Sequence, residues 1–345
     1  MTHELFMVAK YAFALFAHYS GADSLYRWFC GPSLAVLMYH RLRDEYDPAP
    51  LSTAPATFAR HVHWLRAKRW LVSLEDGHLH LSTHRRGPRY ALTFDDGYMD
   101  NLHILGLSPP PPATVYVVTS LIGGTSLWYY RLTHAIQHAG NTVIDLDFLG
   151  LGQVDISDPG MQPQLLEQLA EHIKALPPRK VEAAVMRVIR AAAPSSPMPD
   201  SRQMLGWDEI IELQTQGVEI GAHTHTHALL AQADDAHVRE EITVSTSVLR
   251  QGLGRPPRHF AYPNGRTQDF GQREIDLLKA AGYATAVTTV ERLNRAGTDP
   301  YRIGRINTFD ARFRGPGGRL SKALFFSETS GLLGWLRQWR QPCDG

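Results

Sequence analysis

Two adjacent carboxylates, Asp95 and Asp96, follow a short apolar segment that is predicted to be a buried β-strand. The next residue is glycine, and Asp-Asp-Gly is ordinary turn chemistry, so the pair alone does not establish a site. Adjacent carboxylates nevertheless repel each other unless a cation lies between them. One carboxylate can then bind a divalent metal ion, and the other can act as a base on the metal-bound water. Metal-assisted hydrolysis requires this division of roles.

Two histidines, His223 and His227, supply the side-chain type that would complete such a site. Their spacing, on a helix or on the loop that leads into one, can bring both imidazoles to one metal ion. His225 lies between them and should point elsewhere. An isolated histidine pair is usually not a ligand pair, but together with the Asp-Asp turn it favours a metal site. One carboxylate and two imidazoles leave positions for water and substrate. Zinc is the expected ion, and cobalt, nickel or manganese would fit the same donors.

Apolar segments that are predicted to be strands alternate with segments of helical periodicity. The predicted strands are 34–39, 90–94, 113–119, 218–221, 259–262 and 284–289. The predicted helices are 57–68, 165–176, 181–193, 207–216, 236–252 and 272–281. On the helix 236–252, we assign Arg239, Glu240 and Glu241 to the solvated side. The alternation argues for a parallel sheet or a (β/α) barrel. The candidate residues follow predicted strands, where such barrels carry their active sites.

Three further segments carry candidate functional residues. Residues 260–265, Phe-Ala-Tyr-Pro-Asn-Gly, are predicted to be a strand and a tight turn whose exposed backbone N–H could bind an oxyanion. His40 follows the strand 34–39, and a histidine there is usually structural unless the strand end faces the metal. The run Trp-Tyr-Tyr-Arg at 128–131 could line a saccharide cleft, although aromatic side chains are more often part of a core.

The length and the net charge of the chain limit its domain number and the classes of partner that it can have. The chain of 345 residues is long enough for one large α/β domain with an insertion, or for two domains. It has 35 Lys and Arg against 34 Asp and Glu, so its overall charge does not suggest a nucleic-acid partner.

Both ends of the chain are predicted to form amphipathic helices. Residues 3–19 form the first, and the second has an apolar stripe made of Leu332, Leu333, Trp335, Leu336 and Trp339. Each helix either packs on the domain or lies on a membrane surface. Neither a clear signal peptide nor a membrane span is evident. We therefore expect a cytoplasmic protein that can bind peripherally at the inner membrane, with export left open.

Three of these segments together resemble the motifs of the polysaccharide deacetylases, which are the NodB-homology enzymes of carbohydrate esterase family 4. The segments are 93–97 (Thr-Phe-Asp-Asp-Gly), 223–227 (His-Thr-His-Thr-His) and 260–265. In addition, Leu-Met-Tyr-His at 37–40 resembles the start of the biofilm poly-N-acetylglucosamine deacetylases, in which the motif order is permuted. The resemblance extends over residues 34–310.

The resemblance implies an α/β fold, a distorted (β/α) barrel interrupted by a helical insertion at about 120–204. An N-terminal helix and linker at 1–33 would precede the barrel, and a basic loop and helix at 311–345 would follow it. The implied reaction is hydrolysis of N-acetyl groups on a saccharide, with zinc or another divalent transition metal as cofactor.

Matching the motifs residue by residue implies a role for each candidate. Asp95 would be the general base, and Asp96, His223 and His227 would bind the metal. The backbone N–H of Tyr262 would stabilise the oxyanion.

The chain departs from the family pattern at two places. The third motif usually has an arginine where Ala261 stands, so the group that orients the base is unassigned. The last motif normally supplies a histidine as general acid, but this chain has no histidine after His259. We therefore assign His40 as the acid that protonates the leaving amine, by its resemblance to the permuted enzymes.

Alternatives remain open at this point. The chain could be a related metal-dependent amidohydrolase that acts on a formyl group or a cyclic imide, or a catalytically inactive sugar-binding domain. An N-acetylated polysaccharide and a lipid-linked oligosaccharide are both candidate substrates.

Overall fold

The computed structural model describes residues 3–44, 51–83, 86–124, 126–196 and 203–333 of the chain. In chain order, the strands are β1 Pro32–Tyr39, β2 Arg41–Leu42, β3 Ser52–Thr53, β4 Gly87–Phe94, β5 Ala113–Val117, β6 Val143–Asp145, β7 Gln153–Asp155, β8 Glu219–Ala222, β9 His259–Ala261, β10 Thr285–Val287, β11 Asn294–Arg295 and β12 Ile306–Asn307. The α-helices are α1 His3–Tyr19, α2 Ala22–Phe29, α3 Pro55–Ala67, α4 Leu74–His80, α5 Trp128–Gln137, α6 Gln162–Lys174, α7 Pro178–Ala192, α8 Trp207–Thr215, α9 Asp235–Leu253, α10 Gln272–Ala280 and α11 Lys322–Thr329.

The main sheet contains eight strands in the order β10-β9-β8-β5-β4-β1-β11, with β12 also paired to β1. All neighbours from β10 to β1 are parallel, and β11 is antiparallel to β1. Ile303 bridges to Val287 of β10, and Ile306 in β12 pairs with Leu37 of β1. The segment 303–307 therefore connects both edges of the parallel strands and closes a distorted barrel. The predicted fold class is confirmed.

The strands of the barrel are buried on both faces, and their side chains alternate between two cores. Ala35 and Leu37 of β1 face the helices outside the barrel. Leu34 and Val36 of the same strand lie with Tyr116 of β5 in a second, interior cluster. Strands covered on both faces are expected to be nearly continuous apolar runs, as β1 and β5 are.

The region predicted as a helical insertion contains α5, α6 and α7 and has a hydrophobic cluster of its own, which includes Leu132, Ile136, Leu169 and Val185. It also contains an antiparallel hairpin, β6–β7. The sequence pattern predicted only helices for this insertion. The strands of this hairpin have three residues each, too few for a periodic pattern to show in the sequence. The predicted domain boundaries themselves stay a prediction.

Helix α1 coincides with the helix predicted at residues 3–19. It packs against α11, and Lys10 forms an ion pair with Glu328 there. Among the described residues, no helix combines the length and the apolar character that a membrane crossing requires. Leu332 and Leu333 are buried at the start of the predicted C-terminal helix, whereas the rest of its apolar stripe lies outside the described residues.

Candidate active site

Asp95 and Asp96 lie directly after β4, at the C-terminal end of the barrel, and both are buried. Asp96 has a φ of 72° and Gly97 has a φ of 78°, so the chain turns sharply in the left-handed region. A Cβ atom at Gly97 would lie 2.8 Å from Cγ1 of Val117, so only glycine fits this turn. The strained backbone aims the two neighbouring carboxylates in different directions, which lets them do different chemistry.

Asp96, His223 and His227 present one donor atom each, and these atoms lie within 4.8 Å of one another. Nε2 of His223 and Nε2 of His227 are each 3.5 Å from Oδ1 of Asp96. Donors bound tetrahedrally at the zinc distance of about 2.0–2.2 Å lie roughly 3.3–3.6 Å apart, so the two distances to Asp96 fit one such ion. Nδ1 of His223 is 2.8 Å from the carbonyl oxygen of Ala261, a contact that leaves Nε2 available as the ligand atom.

The pKa values of Asp96 and His227 suit a cation, whereas burial lowers the pKa of His223 less than the hydrogen bond to Asp96 and the charge of Asp95 raise it. Burial opposes ionisation of Asp96, yet its hydrogen bond to His223 and the charge of His227 hold its pKa below the ordinary value. Burial, assisted by repulsion from His223, lowers the pKa of His227 to about 4. His227 is therefore neutral near pH 7, and a neutral imidazole is the form that binds a metal.

The histidines lie on the loop after β8, and a buried carboxylate on α9 fixes that loop. Oε2 of Glu241 accepts the backbone N–H groups of His225 and Thr226, both at 2.8 Å. Oε1 accepts the hydroxyl of Thr226 at 2.6 Å. The His225 ring points away from the cluster and contacts the hydroxyl of Thr119 at 2.9 Å. Because Glu241 is only 1% exposed, its assignment to the solvated side of the helix was wrong.

Asp95 is held by a fully buried arginine, Arg305, which lies on the segment that closes the barrel. Nη1 of Arg305 donates to Oδ1 of Asp95 at 2.6 Å, and Nη2 donates to Oδ2 at 2.7 Å. Burial alone would raise the pKa of Asp95, but the guanidinium outweighs it and holds that pKa below the ordinary value. Asp95 is therefore an ionised carboxylate of fixed orientation, as a general base must be.

His40 directly follows β1 and lies near Asp95. Its Nε2 is 3.8 Å from Oδ2 of Asp95, and its side chain is 13% exposed. The structure thus brings together five residues that the sequence singled out: Asp95, Asp96, His223, His227 and His40.

Comparison with known proteins adds independent findings. A family model described as polysaccharide deacetylase matches residues 159–286. This match includes His223 and His227, whereas His40, Asp95 and Asp96 lie outside it. Comparison with curated proteins gave no match.

The predicted resemblance to the polysaccharide deacetylases is confirmed.

Solved structures share the fold of this chain. IcaB from Ammonifex degensii is 18% identical with a TM-score of 0.52, and the alignment covers 81% of this chain and 92% of that one. The deacetylase PplD from Streptococcus pyogenes is 17% identical with a TM-score of 0.52, over 84% of this chain and 96% of that one. The polysaccharide deacetylase BC0361 from Bacillus cereus is 17% identical with a TM-score of 0.53, over 87% and 69% respectively.

Tyr262 lies directly after β9. Its backbone N–H donates to the carbonyl oxygen of Val287 at 3.2 Å, so an oxyanion would compete with Val287 for this donor. Its phenol donates to the carbonyl oxygen of Tyr301 at 3.1 Å. The oxyanion role of Tyr262 stays a prediction.

No role in the site was assigned from the sequence to Arg305, which holds Asp95, or to Glu241, which holds the histidine loop. The sequence signalled only that a partner for the base was missing, because Ala261 stands at the usual arginine position. Arg305 is one of several arginines that follow β10, and only its complete burial distinguishes it from them.

Proposed function

We propose that this chain is a metal-dependent hydrolase that removes N-acetyl groups from a saccharide. The observation that carries the proposal is the three-donor cluster of Asp96, His223 and His227, placed beside the ionised Asp95 and beside His40. A cation site, a base and an acid at one barrel end are the groups that hydrolysis of an amide requires. The deacetylase family supports the carbohydrate class of substrate.

Asp96, His223 and His227 would hold the ion, which supplies Lewis-acid chemistry and lowers the pKa of water. Asp95 removes a proton from the water that attacks the acetyl carbon. His40 donates a proton to the amide nitrogen as the C–N bond breaks, because an unprotonated amine anion is a poor leaving group. The products are acetate and a free amino sugar. Zinc is the proposed ion, and the donor set also accepts cobalt, nickel or manganese.

A panel of amides tests the proposed reaction. Purified protein loaded with zinc should release acetate from N-acetylglucosamine oligomers, and it should neither release formate from formylated amines nor open cyclic imides. The Asp95→Asn variant should retain its metal but lose turnover by roughly 10²–10⁴-fold, which is typical for removal of a general base. Formate release or imide opening without acetate release would move the function to the related amidohydrolases. Turnover by the Asp95→Asn variant equal to that of the unmodified protein would remove Asp95 from the role of base.

We further propose that helices α1 and α2 make a peripheral contact with a membrane surface. Four of their aromatic side chains are exposed: Phe16 (67%), Tyr19 (80%), Trp28 (52%) and Phe29 (71%). Arg86 lies over the ring of Trp28, and cations beside exposed aromatic side chains favour an anionic lipid surface.

Sedimentation with anionic vesicles should carry the protein down, and a Trp28→Ser/Phe29→Ser variant should stay in solution. The control Ile211→Ser, which alters an exposed apolar residue of α8, should still sediment. Equal sedimentation of all three proteins would contradict the contact.

Phe29 precedes β1 and His40 follows it, so Trp28 and Phe29 lie at the opposite end of the barrel from the active site. A membrane bound through α1 and α2 would therefore leave the site facing away from the lipid. We accordingly propose a saccharide that reaches the site from the aqueous phase rather than one that is anchored in the same membrane.

A further inference from the structure

The side chain of His40 has few restraints of its own. Within the described part of the chain, its buried Nδ1 has no hydrogen-bond partner. Its Nε2 lies 3.8 Å from Asp95, beyond hydrogen-bond distance. A histidine that transfers a proton must nevertheless be held in place, since a general acid works only within hydrogen-bond reach of the leaving group. The restraint must therefore come through the backbone and the packing around it.

The backbone around His40 is held by two consecutive residues, Asp100 and Asn101, which follow the Asp-Asp-Gly turn. Nδ2 of Asn101 donates to the carbonyl oxygen of His40 at 2.7 Å. Oδ1 of Asp100 accepts the backbone N–H of Leu42 at 3.0 Å, and Oδ2 accepts Nε of Arg41 at 2.8 Å. Asn101 is completely buried, so its bond to His40 is shielded from competing water.

One more contact connects the same two segments. The backbone N–H of Asp95 donates to the carbonyl oxygen of Tyr39 at 3.0 Å. Each residue from Tyr39 to Leu42 is thus hydrogen-bonded to a residue of the segment 95–101, which begins with the proposed base. The distance between His40 and Asp95 is set by these contacts, and not by a bond between their two side chains.

We propose that Asp100 and Asn101 are positioning residues that hold His40, through its backbone, where it protonates the leaving amine. This inference rests on the proposed function, because it takes His40 as the general acid. It replaces the usual side-chain partner of a catalytic histidine with a backbone clamp, which consists of Asp100 and Asn101.

Two substrates with different leaving groups test the clamp. An N-acetyl amide needs protonation of its nitrogen, whereas 4-nitrophenyl acetate releases a stable phenolate that needs none. The Asn101→Ala variant, loaded with zinc, should lose roughly 10–100-fold in kcat on N-acetylglucosamine oligomers, because a small displacement of a catalytic group costs that much. Its KM for the oligomers and its hydrolysis of 4-nitrophenyl acetate should stay close to those of the unmodified protein. Asn101→Leu, which is similar in size and also lacks the donor, should behave in the same way and serves if the alanine variant does not fold.

Asn294, which lies on β11, provides a matched control because its side chain also donates to a backbone carbonyl group. It is buried, and its Nδ2 donates to the carbonyl oxygen of Leu34 at 3.1 Å, at the opposite end of β1 from His40. Asn294→Ala should leave the ratio of amide to ester hydrolysis unchanged. If Asn101→Ala lowers both activities equally, its role is structural and the proposal is overturned.

A double variant shows whether Asn101 acts through His40. In a His40→Ala background, Asn101→Ala should cause no further loss of amide hydrolysis, because two residues that act on one step are not additive. A full additional loss would place the effect of Asn101 elsewhere and overturn the clamp. If His40→Ala leaves the ratio of amide to ester hydrolysis of the unmodified protein intact, the acid role in the proposed function fails. That outcome differs from a failure of the clamp alone, in which His40→Ala changes the ratio and Asn101→Ala does not.

Discussion

At the scale of single residues, the site separates two neighbouring carboxylates by giving them different partners. Asp96 faces two imidazoles, and Asp95 faces the guanidinium of Arg305. Both stay ionised although both are buried, because each has a specific counter-group. The identities of the two aspartates and their place at a strand end were predictable from the sequence. Arg305 was not, because its contact with Asp95 spans 210 residues and no local pattern marks it.

Replacing Arg305 separates its structural effect from its catalytic effect. Arg305→Met leaves the buried carboxylate of Asp95 without a counter-charge, which should lower the free energy of unfolding by about 3–5 kcal/mol. Arg305→Lys keeps the charge but cannot make two parallel bonds to one carboxylate. The lysine variant should therefore fold with a smaller loss of stability and still show reduced turnover. Urea unfolding and acetate release measure the two effects. A methionine variant as stable and as active as the original protein would contradict the role of Arg305.

At the scale of elements, strand ends were predictable because apolar runs stop at turn residues. The predicted strands 34–39 and 90–94 lie within β1 and β4, and the predicted helix 272–281 ends one residue beyond α10. The strand that closes the barrel was not predictable, because β12 has only two residues and its pairing with β1 depends on tertiary packing. The assignment of Glu241 to the solvated side of its helix was wrong for a similar reason. The loop that covers this carboxylate follows β8 and lies outside the helix whose sequence pattern was used.

The contact between α9 and the histidine loop yields a second prediction. Glu241→Ala leaves two backbone N–H groups of the loop without their acceptor, which should cost about 1–3 kcal/mol. Because the same loop carries His223 and His227, the zinc dissociation constant should rise by roughly tenfold or more.

Competition with a chromogenic chelator measures the affinity of the Glu241→Ala variant. Glu241→Gln keeps a carbonyl acceptor and should therefore retain most of the zinc affinity of the unmodified protein. Glu240, which lies next to it on α9 and is exposed, provides the control Glu240→Ala, which should bind zinc normally. Unchanged zinc affinity in Glu241→Ala would show that the loop holds its shape without this carboxylate.

At the scale of the whole molecule, buried neutral histidines make stability depend on pH. His61 packs against Phe325 with ring centroids 4.5 Å apart, and its Nδ1 is 3.0 Å from the hydroxyl of Tyr39. Burial lowers the pKa of His61 to about 3 and that of His259 to about 4. The unfolded chain protonates both near the ordinary value of 6.5, so it binds more protons than the folded protein below that pH.

The free energy of unfolding should therefore fall as the pH is lowered from about 6.5 towards about 4, by up to about 1.4 kcal/mol per pH unit for each histidine. His61→Asn keeps a polar atom near Tyr39 but cannot titrate, so its stability should fall less steeply over this range. Chemical unfolding of both proteins at several pH values gives the two slopes. Identical slopes would mean that His61 is protonated in the folded protein or that other groups dominate.

The central claim is that Asp96, His223 and His227 bind one catalytic metal ion beside Asp95. The most direct test is to titrate zinc into chelator-treated protein while bound zinc and acetate release from N-acetylglucosamine oligomers are measured together. Both should rise in parallel and saturate at one ion per chain, and the His227→Ala variant should show neither at the same zinc concentration. Full acetate release by protein that holds no metal, or by the His227→Ala variant, would contradict the account.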